Sequence, residues 1–153
     1  MRALQRLAYR VAYRLAQVWW WVARPHNQGV KCVLRDGGRV VLVRHTYGDR
    51  QAGEVPGGGL HRGEDPRAGA TRETLEELGL DIADWRALGS VVHRHGGQTV
   101  TMHLFTATVD AGAVRIDGVE IAEARVVPAH APPGRLSPMS ARALEAALSR
   151  AGG

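Results

Sequence analysis

The chain has 153 residues, a formal net charge of +5 and no internal repeat or low-complexity tail, which fits one compact domain. Nineteen of its twenty basic residues are arginines, so the surface favours polyanions, whether phosphorylated substrates, nucleic acid or anionic lipid, without selecting among them. The single cysteine, Cys32, excludes an internal disulfide and fits a reducing compartment, so we expect a cytoplasmic protein.

Residues 1–24 predict one amphipathic helix. Its apolar residues recur at steps of four and three, at Leu4, Ala8, Val11, Leu15, Val18 and Val22. Arginines recur every four residues from Arg2 to Arg14, and three tryptophans precede the break at Pro25. Because no run of 18 residues is free of arginine, the segment does not fit a transmembrane span. The apolar seam favours packing on the domain or on a second subunit in a homodimer, while the basic stripe leaves open a peripheral contact with the inner face of a membrane.

Residues 29–46 predict a β-hairpin in which Asp36-Gly37-Gly38 joins the runs VKCVL and RVVLVRH. A polar loop then leads into Gly57-Gly58-Gly59, where small residues let the backbone approach a phosphate or a metal closely. The basic side chains around these glycines are candidates for contacts with substrate phosphates: Arg44, His45, Arg50 and His61.

The stretch from Gly58 to Leu80 predicts a glycine-rich turn followed by a short helix. Asp65 is a favourable N-cap, Pro66 suits the first helical position, and Gly79 can take the left-handed conformation that ends a helix.

Three glutamates of this helix, Glu73, Glu76 and Glu77, fall within a wedge of about 100°. On the opposite side, the residues expected to seat the helix on a core are Ala68, Thr71, Leu75 and Leu78. Crowded carboxylates repel each other, and a divalent cation removes that penalty. All-oxygen ligands favour a hard ion, Mg²⁺ or Mn²⁺, whereas an isolated acidic face would simply be solvated.

The fixed positions of this stretch are Gly58, Glu64, Arg72, Glu73, Glu76, Glu77 and Gly79. Their spacing resembles the Nudix box, G-x5-E-x7-R-E-U-x-E-E-x-G-U, in which U is a bulky apolar residue. Every fixed letter is present, but Thr74 occupies the first U position, which should weaken burial slightly. The resemblance implies a Nudix α/β/α sandwich with a mixed β-sheet over residues 28–150, and a hydrolase that cleaves pyrophosphate bonds.

The resemblance also implies a set of metal ligands. Glu73 and Glu77 would be the strongest, with Glu76 sharing the same cation cluster. A backbone carbonyl of the glycine run, from Gly57 or Gly58, is expected to complete the protein ligands.

Catalytic roles follow in the same way. The general base would be Glu76 or the later acid Glu120, and the resemblance leaves both open. Arg72 is expected to pair with Glu64 and to hold the ligand glutamates in orientation.

Beyond the box, residues 88–94 and 99–109 predict a second hairpin, in which a turn at Gly96-Gly97 pairs His93 with Val100. Alternation then places His103 on the other face from His93, so a three-histidine zinc site is not expected. Short strands are expected at 114–116 and 121–127 and a closing helix at 140–150, which completes an α/β domain.

The expected partner is a phosphorylated small molecule, a nucleoside diphosphate derivative, and the chain carries no specific nucleic-acid motif. Two other functions stay open: a Nudix-fold sensor that binds a nucleotide without hydrolysis, and an adaptor that uses the basic first helix on a membrane or nucleic acid. Cation-dependent turnover distinguishes the sensor from a hydrolase, and liposome or duplex binding tests the adaptor.

Overall fold

The computed structural model describes residues 27–46, 51–95, 98–116 and 118–150, together with Ala12. The predicted N-terminal helix, the loop residue Arg50 and the Gly96-Gly97 turn lie outside these residues. Among the helices of the described part, none has the length and apolar character needed to cross a membrane.

A mixed five-stranded sheet with a helix on each face forms the domain, as predicted for the α/β class. The elements in chain order are β1 (Asn27–Asp36), β2 (Arg39–His45), α1 (Pro66–Leu78), β3 (Arg86–His95), β4 (Gln98–Thr108), β5 (Ile121–Pro128) and α2 (Pro138–Ser149). The strand order is β3-β4-β1-β2-β5, and β1 and β4 are the parallel pair. Strand β1 is therefore central. The chain passes through β2, α1 and β3 before it returns to β1 as the parallel strand β4.

Both predicted hairpins are confirmed. In the first, Asp36 faces Arg39 across a two-residue turn whose Gly37 has a φ of 59°. In the second, His93 pairs with Val100 and Ser90 with His103, which is the predicted register. In the sequence a glycine pair separates the two strands of each hairpin, so the signal is local.

The strand predicted at residues 114–116 is wrong. These residues have no regular secondary structure and follow a short 3-10 helix, Ala111–Ala113, which the Asp110 carboxylate caps by accepting a hydrogen bond from Gly112 N. The following Arg115 N donates to the carbonyl of Leu78 at 2.8 Å. This segment therefore bonds to the end of α1 and not to the sheet.

Two apolar layers cover the sheet. Between the sheet and α1 lie Val30, Cys32, Leu34, Val41, Val43, Ala70, Leu78, Leu80, Trp85, Phe105, Ala107 and Ile121. Between the sheet and α2 lie Val33, Val40, Leu42, Val55, Leu88, Leu104, Val127, Ala129, Ala143, Leu144 and Ala147. Alternate residues of β1 and β2 serve opposite layers, as a strand with two covered faces requires.

The packing face predicted for α1 is wrong in part. Leu78 is buried as expected, but Ala68 and Leu75 are exposed, Leu75 by 50%. The buried positions of the helix are Gly69, Ala70, Glu73, Thr74, Glu77 and Leu78, so two of the glutamates face the domain.

Thr74 is fully buried, so the expected slight weakening of burial is wrong. Its hydroxyl donates to the carbonyls of Ala70, at 2.9 Å, and Thr71, at 3.1 Å. The polar atom is thereby satisfied within the helix, and the methyl group is left for the core.

The segment 54–60 lies between β1 and β2 and separates them beyond the hairpin turn; we call it the glycine wedge. Its hydrogen bonds to β2 join Val43 and Glu54 in both directions, and those to β1 run from Cys32 N to Pro56 O, from Val30 N to Gly58 O and from Leu60 N to Gln28 O. The wedge therefore pairs with both strands, and it brings its glycines to the end of α1 that carries the glutamates.

Candidate active site

Helix α1 begins and ends where the sequence predicts. The Asp65 carboxylate accepts hydrogen bonds from Arg67 N at 2.9 Å and Ala68 N at 3.1 Å. Gly79 closes the helix with a φ of 67°. These local signals fix which residues are helical, and the sheet decides which of them are buried.

Glu77 is the most deeply buried carboxylate of the site, with 1% of its surface exposed. Gly57 N donates to its Oε2 at 3.0 Å. Gly57 has a φ of 139°, and a Cβ there would lie 2.1 Å from the carbonyl oxygen of Val30, so only glycine fits. Burial raises the pKa of Glu77 to about 8, although the Gly57 hydrogen bond opposes the shift.

Glu73 lies one turn earlier on the same face and is also buried. Arg72 Nη1 donates to its Oε1 at 2.7 Å. A Cβ on Gly58 would lie 2.6 Å from Oε2 of Glu73, so the second glycine makes room for this carboxylate. Burial raises the pKa of Glu73, and the neighbouring acids Glu76 and Glu120 add to that rise.

Arg72 contacts Glu64, as the sequence predicts. Its Nε donates to Glu64 Oε1 at 2.8 Å and its Nη2 donates to Oε2 at 2.9 Å, which is the two-pronged geometry of a guanidinium on a carboxylate. Nη2 also donates to the carbonyl of Gly59 at 3.0 Å. The hydrogen bonds from Arg72 lower the pKa of Glu64 to about 2, so this carboxylate is ionised at neutral pH.

Two further side chains that could bind a metal ion, those of His45 and Glu120, lie near Glu77. Thr46 holds the 119–120 segment against the end of β2: its N donates to Glu120 O and its hydroxyl to Val119 O, both at 2.9 Å. Each of His45, Glu77 and Glu120 has one possible metal-binding atom, and these three atoms lie within 4.8 Å of one another. The His45 Nε2 is 3.9 Å from Glu77 Oε1.

His45 is 8% exposed, so it is a buried residue and not a surface contact for phosphate. Burial lowers its pKa to about 4. Its imidazole is therefore neutral at physiological pH, which is the form that binds metal ions.

Two other predicted site residues, Glu76 and His61, are exposed. Glu76 is on the solvent side of α1, with 54% of its side chain exposed, and accepts from Arg72 Nη1 at 3.3 Å. The Gly58 carbonyl accepts a hydrogen bond from Val30 N, so it is engaged with β1. His61 is exposed, with Nδ1 3.9 Å from Glu64 Oε2.

Arg44 lies beside His45 in β2 but faces the other way. Alternation places it with Leu42 on the α2 side of the sheet, where its Nη2 donates to Glu123 Oε2 at 2.7 Å. It lines a cavity of about 280 Å³ together with Arg125 and Arg135. Any substrate phosphate that Arg44 contacts would therefore lie outside the carboxylate cluster.

Sequence reasoning missed the pair formed by Lys31 and Glu54. The Lys31 Nζ donates to Glu54 Oε2 at 2.6 Å and to the carbonyl of Val55 at 3.3 Å, and both contacts tie β1 to the glycine wedge. Lys31 is 8% exposed. The sequence does contain an indication of this pair, because the only lysine of the chain lies inside an apolar strand and would need a partner there.

Comparison with known proteins agrees with this architecture. Residues 25–147, which include the whole sheet, match the NUDIX domain family. The chain belongs to the Nudix family. The buried glutamates of α1 and the glycines of the wedge are thus the Nudix box in its folded setting.

Among curated Nudix relatives, the chain is 36% identical to the ADP-ribose pyrophosphatase of Mycobacterium tuberculosis over 79 residues, which cover 49% of this chain and 38% of that protein. It is 39% identical to the RNA pyrophosphohydrolase of Dinoroseobacter shibae over 61 residues, 39% of this chain and 38% of that protein. The chain thus spans well under half of the length of these two relatives.

Solved structures show the same fold. The MutT NUDIX hydrolase of Burkholderia pseudomallei superposes with a TM-score of 0.72 at 21% identity, and the alignment covers 79% of this chain and 97% of that one. At that identity the likeness concerns the fold, and any substrate has to be argued from the site.

Proposed function

We propose that this Nudix protein is a hydrolase that uses a divalent cation to cleave a phosphoanhydride bond in a nucleoside diphosphate linked to another moiety. The observation that carries the proposal is the convergence of Glu77 with Glu120, which comes from a distant segment, beside Glu73 one turn earlier on the same helix. The names of the two curated relatives, a pyrophosphatase and a pyrophosphohydrolase, support the type of bond. Because one name refers to ADP-ribose and the other to RNA, the two names do not indicate which group is attached to the nucleoside diphosphate.

The residues fit a cation. Burial raises the pKa values of Glu73 and Glu77, the charge of Glu120 adds to both rises, and Glu73 adds to that of Glu77. Without a counter-charge these groups favour protonation, and a divalent cation would favour their ionised form. Carboxylate oxygens are the donors that Mg²⁺ and Mn²⁺ take.

In the proposed reaction, an oxygen–phosphorus bond forms from water and the bond to the bridging oxygen breaks. A bound cation would neutralise charge on the phosphate oxygens and lower the pKa of water. The chain must accept the proton, and two carboxylates remain in place for that step, Glu120 within the cluster and Glu76 at its solvent edge. Arg72 positions Glu73 while it is anchored on Glu64 and Gly59.

The test is a panel of ADP-ribose, 5′-triphosphorylated RNA, nucleoside triphosphates and dinucleotides, each with Mg²⁺ or Mn²⁺, read out by released phosphate and nucleotide. We expect cleavage of at least one compound, and no cleavage in EDTA. Glu73→Gln and Glu77→Gln keep the shape but remove ligand charge, so each should lower the rate by about 10²-fold or more.

The exposed Glu145 of α2 offers a matched control, since Glu145→Gln removes a helical carboxylate far from the box. Near-normal turnover by both box variants, on a substrate that the wild type cleaves, would contradict the proposal. Nucleotide binding without any turnover would instead support the sensor function.

A further inference from the structure

We propose that the His45 imidazole is itself a ligand of the cation in this site, beside Glu77 and Glu120, and that this nitrogen donor makes the site prefer Mn²⁺ to Mg²⁺. The inference rests on the proposed function for the presence of a cation. It adds a ligand that lies outside the Nudix box and a preference between the two ions.

The spacing of the donor atoms supports a shared ion. Two donors at about 2.1 Å from one octahedral cation lie about 3 Å apart when adjacent and about 4 Å apart when opposite. His45 Nε2 and Glu77 Oε1 are 3.9 Å apart, and the group with Glu120 fits within 4.8 Å. Small side-chain rotations would therefore bring all three donors to one ion.

The backbone holds His45 in this place. It is the last residue of β2 and pairs with Ile121, the residue next to Glu120, while the following Thr46 bonds to Glu120 O and Val119 O. The Ile121 side chain is fully buried, which anchors that pair. His45 and Glu120 therefore lie side by side where β2 meets the start of β5, next to Glu77.

The chemistry of the donors decides the metal. Carboxylate and water oxygens suit Mg²⁺ and Mn²⁺ alike, whereas an imidazole nitrogen suits the first-row transition metals and adds little for Mg²⁺. An all-oxygen box would discriminate weakly between the two ions. One nitrogen ligand is enough to shift the preference.

The experiment uses the full-length chain, stripped of metal and loaded with substoichiometric Mn²⁺, without substrate. Pulsed electron paramagnetic resonance detects the ¹⁴N coupling of an imidazole bound directly to Mn²⁺. We expect this coupling in the wild type and its loss in His45→Gln, whose amide oxygen keeps the site able to bind an ion. The Mg²⁺ concentration that displaces half of the Mn²⁺ should fall about tenfold in the variant, a typical effect of altering the ligand environment.

His130→Gln is the matched control, because His130 is exposed in the turn after β5, beside the β1–β2 turn and at the opposite end of β2 from His45. It should keep both the coupling and the ion preference. His45→Asn serves as a second variant, and melting curves without metal verify that the variants fold. A folded variant without the coupling supports the inference.

Two results would overturn it: a Mn²⁺-loaded wild type without ¹⁴N coupling, or coupling that persists in both His45 variants. The failure of this inference can be distinguished from the failure of the proposed function. Coupling without turnover of any compound would support His45 as a ligand and contradict the hydrolase function. Turnover without coupling would support the hydrolase function and contradict His45 as a ligand.

Discussion

Arg72 joins the two halves of the Nudix box. One guanidinium holds Glu64 through two hydrogen bonds, reaches the carbonyl of Gly59 and donates to Glu73. Only a planar group with several fixed donors can make these contacts at once. We therefore expect the arginine to act on the site through the orientation of Glu73 more than through its positive charge.

Arg72→Lys tests this role, because lysine keeps the charge but loses the fork. We expect hydrolysis to fall by tenfold or more while the melting temperature changes little. Steady-state kinetics at saturating Mn²⁺ measures the first and a thermal melt the second. Arg142→Lys, an exposed arginine on α2, is the control. A fully active Arg72→Lys protein would mean that Arg72 contributes only charge.

Among the secondary-structure elements, those predicted correctly have local signals. The glycine turns of both hairpins and the caps of α1 depend on residues within a few positions of one another. The packing face of α1 depends instead on what the sheet offers it. Hydropathy favoured Leu75 for that face, but the glycine wedge presents the Gly57 N–H there, so Glu77 is buried and Leu75 is not.

The same reason explains what was missed in the site. His45 lies near Glu77 because α1 packs on the sheet, and near Glu120 because β2 pairs with β5, which begins 76 residues later in the chain. Nothing near His45 in sequence indicates either neighbour, so the sequence alone favours a surface contact with phosphate. The Nudix box is recognisable from the sequence because all its residues belong to one turn and the helix that follows it.

The ion pair of Lys31 and Glu54 gives the glycine wedge a stability test. Lys31→Met leaves the Glu54 carboxylate without its cation in a largely covered position, which should lower the free energy of unfolding by about 1–3 kcal/mol. Lys31→Met combined with Glu54→Gln should recover part of that loss. Urea denaturation measures both.

The surface pair of Arg39 and Asp36 is the matched control, since its side chains are 58% and 31% exposed. Arg39→Met should cost about 1 kcal/mol or less. If Lys31→Met and Arg39→Met lowered the free energy of unfolding equally, the buried ion pair would contribute no more to stability than the surface pair.

At the scale of the whole molecule, the buried site makes stability depend on pH. The pKa of Glu77 is about 8 in the folded protein against 4.5 for its reference state, so between those values unfolding releases a proton. Stability from this group is therefore present at low pH, falls as pH rises and levels off above about 8. Glu73, whose pKa is also raised, acts in the same direction.

His45 acts in the opposite direction but in a lower window. Its pKa is about 4 when folded and 6.5 in the reference state, so unfolding takes up a proton below 6.5 and stability rises with pH up to that value. From pH 6.5 to 8 the glutamates act without this opposition.

We therefore expect the unfolding free energy in EDTA to fall by roughly 1–2 kcal/mol between pH 6.5 and 8. Glu77→Gln should flatten this decline, and saturating Mn²⁺ should remove it, because the cation favours the ionised carboxylates. Urea titrations at several pH values measure the slope. A wild-type slope that matches that of Glu77→Gln would contradict a protonated Glu77 in the metal-free protein.

The glycine wedge also predicts how β1 opens. The amides of Val30 and Cys32 donate to the wedge, whereas those of Lys31 and Val33 point to the opposite edge, toward β4. Neighbouring amides on one strand should thus exchange with deuterium through different openings: release of the wedge frees the first pair, and the second requires unfolding of the sheet. Because Gly57 N holds Glu77, a bound cation should slow exchange at Val30 and Cys32 far more than at Lys31 and Val33. Strand β1 would then report occupancy of the site in an alternating pattern along its own backbone.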